Sequence, residues 1–137
     1  IAPEETPLLS TISLIAPAIA MGNRVVLIPS ERFASVALEL VQVFETSDVP
    51  GGVINIVSGN KRELAEQLAG HAEVDAMWCW ANQETVASIE TISATDLKRL
   101  WVHHDGDRDW LDPEQGESSE FLRNAIEVKN IWTPYGD

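Results

Sequence analysis

Three short apolar runs, Val25 to Ile28, Val53 to Val57 and Val74 to Trp80, begin 28 and 21 residues apart, and the gaps between them carry helical apolar spacing. Neighbouring parallel strands need a crossover of a dozen or more residues, so this alternation is the period of βαβ units. It predicts an α/β fold: a Rossmann-like parallel sheet flanked by helices. The first helix is expected over Leu8 to Met21, where Leu8, Ile12, Ile15 and Ile19 recur at spacings of four, three and four and Gly22-Asn23 supplies a stop. From Ser35 a second helix turns Val36, Leu40, Val43 and Phe44 inward and Glu39 and Gln42 outward, until Asp48-Val49-Pro50-Gly51-Gly52 turns the chain. Lys61 to Ala69 and Gln83 to Ile92 read as further helices, and Lys98 to Val102 as a fourth strand.

Past that strand the composition changes. Residues 105–120 hold seven acidic side chains against one base, Arg108, with Pro and Gly punctuation, which predicts an exposed loop or linker. Phe121 to Ile126 then reads as a short helix. Glu127 to Thr133 reads as a strand with Val128, Asn130 and Trp132 on one face and Lys129, Ile131 and Thr133 on the other. The expected division is a cofactor-type domain over 1–102, an acidic linker over 103–120 and an arm over 121–137.

Charge narrows the function classes. The 137 residues carry 22 acidic and 9 basic side chains, a formal charge of −13, which argues against nucleic acid and against a lipid surface as partners. Leu8 to Met21, the most apolar stretch, is broken by Ser10, Thr11, Ser13 and Pro17 and is shorter than the ~20 residues a membrane span needs. The lone Cys79 excludes an internal disulfide and there is no Asn-x-Ser/Thr site, so a cytoplasmic setting is expected. The start at Ile1 rather than Met is expected of a processed or excised piece.

Motifs for chemistry are sparse. Asp105-x-Asp107-x-Asp109 opens like a calcium loop, but the positions needing Gly and a bidentate Glu hold Trp110 and Gly116. His103 and His104 are adjacent and point to opposite faces of a strand, so no metal site is expected. Cys79, inside Trp78-Cys79-Trp80, reads as a buried packing thiol. What remains is positional. Ligands of parallel α/β sheets sit at the carboxyl ends of the strands, where helix N-termini offer free N–H groups. The loops there are Pro29-Ser30-Glu31, Ser58-Gly59-Asn60 and Ala81-Asn82-Gln83, and Ser30, Glu31 and Asn82 are the candidate lining of a nucleotide cleft.

Pro7-Leu8-Leu9, the run Ile15 to Glu31 (IAPAIAMGNRVVLIPSE) and the run Val49 to Gly59 (VPGGVINIVSG) resemble the cofactor-binding domain of the aldehyde dehydrogenase superfamily over residues 1–92. Phe121 to Trp132 is similar to that family's C-terminal oligomerisation arm, and Asp109 to Pro113 with Lys129 to Gly136 resembles the truncated second module of the two-module family sixteen. The resemblance implies an NAD(P) cleft and pairing of the arm with a neighbouring subunit's sheet. Departures stand beside it. Ile28 replaces the family's ribose-reaching lysine, leaving Glu31 without its cationic neighbour. Pro3-Glu4-Glu5 stands where the resemblance places an oxyanion-hole asparagine, and Cys79-Trp80-Ala81-Asn82 where it places a glycine facing the pyrophosphate. The catalytic domain that the family inserts before the arm, with its cysteine nucleophile and glutamate base, has no counterpart here, so no catalytic residue is assigned.

The resulting expectation is a non-catalytic module, not itself an enzyme, serving assembly of an aldehyde dehydrogenase. It would bind no cofactor unless the altered cleft still takes NAD(P). Its partner would be a catalytic module or second subunit met through the C-terminal strand, in a homo-oligomer. The alternatives are a degenerate NAD(P)-binding regulatory domain and a fragment of an active NAD(P)-dependent enzyme.

Overall fold

The computed structural model describes residues 1–134. Among the described residues four strands and six helices follow in the order α1 (Pro7–Ala20), β1 (Val25–Leu27), α2 (Ala34–Glu45), β2 (Ile54–Ile56), α3 (Lys61–Ala69), β3 (Ala76–Ala81), α4 (Gln83–Ser93), β4 (Arg99–His104), α5 (Pro113–Gly116) and α6 (Ser119–Asn124). β1 pairs with β2 and β3 with β4, both in parallel. The α/β expectation holds, with strand and helix alternating as the apolar spacing required.

The two pairs are joined by the first residues of the chain. The Ile1 amine donates to Trp78 O (2.7 Å), Trp80 N–H donates to Ile1 O (3.1 Å) and Ala2 N–H donates to Ile28 O (2.9 Å). The order across the sheet is therefore β2, β1, residues 1–2, β3, β4.

Strand alternation divides the core into two layers. On one face Met77, Cys79 and Ala81 meet Ala65 and Ala69 of α3 and Val86 and Ile89 of α4. On the other Trp80 and Leu27 pack with Leu14 and Ile15 of α1, Ala37 of α2, Trp110 and Phe121. α3 and α4 each start on an asparagine cap, Asn60 Oδ1 accepting from Glu63 N–H (3.0 Å) and Asn82 Oδ1 from Thr85 N–H (2.9 Å), which satisfies N–H groups that lack a helical acceptor.

Three expectations are corrected. α1 buries only part of the Leu8, Ile12, Ile15, Ile19 stripe: Ile15 is buried and Ile19 packs against the core, but Leu8 is 50% and Ile12 37% exposed, and Ser10, Thr11, Leu14 and Ala18 complete the inward face. In a helix apolar almost all round, small residues let the backbone approach the sheet, and the face is chosen by fit rather than by hydropathy. α2 likewise turns Val43 outward and seats Ala37 instead.

The acidic stretch is not an exposed connector throughout. Trp110 is only 4% exposed, and Arg108 lies among Trp80, Trp101, Trp110 and Phe121 with its guanidinium 4.9 to 5.9 Å from the four ring centres. Its Nη1 donates to Gln115 O (2.6 Å) and its Nη2 to Glu120 Oε2 (2.7 Å). Several of the acids cap turns: Asp107 accepts from His104 N–H, Asp109 from Leu111 N–H and Asp112 from Glu114 N–H.

The arm's expected strand is the third correction. Residues 127–134 carry no regular structure, since a strand without a partner leaves its backbone groups unpaired. The end of the arm beyond 134 lies outside the described residues.

Candidate functional site

The carboxyl ends of β1, β2 and β3 open on a cleft of about 590 Å3 lined by Glu4, Glu31, Arg32, Asn60, Lys61, Arg62, Ala81, Asn82, Glu84, Thr85 and Asp105. Its size falls within the range of small-molecule sites, and α3 and α4 both begin at its edge. Glu31 and Asn82 are among its lining residues. Ser30 is not: it is buried behind the wall, where its Oγ donates to Glu4 Oε2 (2.7 Å) and accepts from Phe33 N–H (3.1 Å).

Glu4 organises this wall. Its carboxylate also accepts from Glu31 N–H (3.1 Å) and Arg32 N–H (3.2 Å), and it pairs with Lys61 Nζ. Burial alone would raise its pKa, but the bonds from Lys61, Ser30, Glu31 and Arg32 outweigh that and hold it at about 2. Glu4, in the segment where the resemblance places an oxyanion-hole asparagine, is thus committed to the loop that enters α2. No spacing rule exposes it, because its partners lie 26 to 57 residues away in sequence.

The second organising group is Glu31, whose Oε2 accepts from Lys61 N–H (2.9 Å) at the first turn of α3. The Asn82 side chain, spent on capping α4, offers no free carbonyl to the cleft. Arg62 donates to Glu66 (3.0 Å) and Glu84 (2.5 Å), so it too is paired. Burial pushes the Asp105 carboxyl up, with Lys61 opposing and Glu5 and Glu4 reinforcing. Lys61 and Asp105, missed by the sequence reading, carry one cue: Lys61 follows the Asn60 cap.

Cys79 lies under this wall, fully buried. Burial pushes its thiol up, with the chain's amino terminus and Lys61 opposing weakly, which is the reverse of what a nucleophile needs. Among the described residues no group of three or more His, Cys, Asp or Glu side chains is arranged to hold a metal ion, and no helix is long and apolar enough to cross a membrane.

A parallel sheet with helices on both faces and a polar cleft at its carboxyl edge defines a nucleotide-site type of architecture. The sequence profile of the aldehyde dehydrogenase family matches residues 1–111, and the chain belongs to that family. It is similar to a 2-aminomuconic semialdehyde dehydrogenase of Bos taurus, 38% identical over 92% of this chain and 26% of the relative. It is also similar to the NADP/NAD-dependent aldehyde dehydrogenase PuuC of Escherichia coli (strain K12), 32% identical over 77% of this chain and 22% of the relative, and to a betaine aldehyde dehydrogenase of Vibrio vulnificus (strain CMCP6), 36% identical over 86% and 24%. The chain spans about a quarter of the length of these relatives. The expectation of a module outside the enzymes is overturned: relatives at 32% to 38% identity are named as dehydrogenases, and the matched region is a quarter of such a protein.

Proposed function

We propose that this chain is the cofactor-cleft portion of an NAD(P)-dependent aldehyde dehydrogenase, the fragment reading rather than the assembly-only module. One observation carries it: the cleft at the strand ends is kept, with Glu31 on its wall and two capped helices opening into it. The fit to a dinucleotide is chemical as well as topological. Glu31 keeps a carboxylate able to accept from ribose hydroxyls. The first-turn N–H groups of Gln83 and Glu84, which have no helical acceptor, suit a phosphate oxygen better than the neighbouring cations do, since Lys61 and Arg62 are already paired. A bound dinucleotide would supply a hydride acceptor there, with Glu31 and the amino end of α4 as the residues that would hold it. This chain's part in that chemistry is positional: Glu31 holds the ribose and the first-turn N–H groups of α4 hold a phosphate.

Calorimetric titration of the chain with NAD and with NADP tests this. Saturable heat that Glu31→Ala weakens by about tenfold or more, while the fold is retained, supports it. A folded chain giving no heat with either dinucleotide at millimolar concentration overturns it.

A second reading concerns assembly. Val128, Ile131 and Trp132 are 76%, 84% and 91% exposed, a concentration of apolar surface that a second subunit's sheet edge would cover. It supports the arm as a contact between subunits.

A further inference from the structure

The aromatic layer on the far side of the sheet from Cys79 holds two basic side chains, Arg108 and His103. Trp80 of β3 and Trp101 of β4 meet edge to face with ring centres 5.0 Å apart, and Trp110 and Phe121 pack into the same layer from the chain that follows β4. The Arg108 guanidinium lies 5.5 Å from the Trp80 ring centre and 5.3 Å from that of Trp101. His103 leans on the same two rings, stacked on Trp80 at 5.1 Å with 15° between the planes and edge-on to Trp101 at 5.6 Å. One guanidinium on these rings is favourable, because an indole face is the negative end of its quadrupole. A second cation would share rings already engaged and repel the first where little water screens the two.

The surroundings of His103 favour its neutral form. Its Nε2 is buried and has no hydrogen-bond partner among the described residues. A neutral imidazole can leave that nitrogen as an idle acceptor, but an imidazolium must carry an N–H there, a buried charged donor with nothing to receive it. Burial is the larger cause that lowers the His103 pKa and the Arg108 charge is the next; Glu120 of α6 and Asp107 oppose them and His104 adds a little. Both acids are already engaged, Glu120 accepting from Arg108 Nη2 (2.7 Å) and Asp107 from His104 N–H (2.8 Å). α1 carries no charged side chain, and the one ionisable group of β3, Cys79, belongs to the opposite layer.

We propose that His103 and Arg108 form an acid-released latch: while His103 is neutral, Arg108 stays seated on Trp80 and Trp101 and holds residues 105–121 against the sheet, and protonation of His103 unseats it. The hold runs through one side chain, since Arg108 also donates to Gln115 O (2.6 Å) and Glu120 and so ties the turn after β4 to α5 and α6. Because the seated form keeps the His103 pKa below the ordinary 6.5, the latch is complete above about pH 6.5 and weakens as the pH falls below it toward the lowered value. The released segment begins at Asp105, a lining residue of the cleft, so the latch acts on the edge of the cleft whatever ligand the cleft takes.

The test follows amide exchange at Gly116 and Phe121, whose N–H groups donate within the segment to Asp112 O (2.7 Å) and Ser118 O (3.2 Å). It compares the 137-residue chain with His103→Phe, which keeps a flat ring against Trp80 but takes no proton. After correction for the intrinsic pH dependence of exchange, protection in the wild type is expected to fall by about fivefold or more between pH 7.5 and pH 5, and to stay level in His103→Phe. A wild type that loses no more protection than His103→Phe overturns the proposal, the carboxylates common to both then being the cause of any change. Should His103→Phe not fold, the wild type decides by NMR, with a ring proton of His103 and the indole N–H of Trp110 titrated together. One shared midpoint below about pH 6.5 supports the latch; separate midpoints, or a His103 that titrates without moving Trp110, overturn it.

Discussion

At the residue scale, Glu4 decides the geometry of the cleft wall. Four donors reach one carboxylate, which ties the start of α2, the start of α3 and the segment before α1 together. Its folded pKa of about 2 lies below its ordinary 4.5, so its stabilisation is complete above about pH 4.5 and is lost as the pH falls toward 2. Glu4→Gln is expected to cost about 1–2 kcal/mol at pH 7, a value reduced for partial solvent screening. Urea unfolding at pH 7 and at pH 3 checks this: the difference from wild type shrinks at the lower pH. A penalty of the same size at both would mean that shape, not charge, is what Glu4 supplies. The residue was visible in the sequence only as a charged intruder, because its partners, residues 30–32 and Lys61, come from two segments distant in sequence.

At the element scale, the acidic segment shows why charge counting misplaces a loop. Its carboxylates cap turns and its single base is drawn inward, so Trp110 and Phe121 close over the Trp80 side of the sheet. Burying two such aromatics contributes on the order of 2–3 kcal/mol each. The closure depends on a close backbone approach at α5: a Cβ on Gly116 would stand 2.4 Å from Trp110 O. Gly116→Ala is therefore expected to destabilise by about 1–3 kcal/mol, and the tryptophan fluorescence should shift to the red as the cluster loosens. An unchanged midpoint and spectrum would show that α5 can move away without disturbing the cluster. A single Gly in an acidic run carries no sign of this, since the atom it must avoid belongs to another turn.

At the scale of the whole molecule, the exposed arm stands apart from the packed layers. Residues 127–134 touch little of the core, so deleting 127–137 is expected to leave the thermal midpoint of the monomer within about 2 °C of the intact chain. Any larger species seen by light scattering should be lost with them. Persistence of that species after the deletion would remove the arm from assembly.

What the order of residues determined alone is the alternation of short apolar runs with helical stretches, and hence parallel strands with helices on both faces. Periodicity and crossover length are local, and they leave few other arrangements. The caps at Asn60 and Asn82 belong to the same category, being set within four residues. Tertiary structure decided which face α1 buries, where Glu4 points, that Arg108 turns inward, and that residues 1–2 are the link between two strand pairs. Each of these depends on groups distant in sequence competing for the same donors, acceptors or space, and that competition is resolved only when the layers pack.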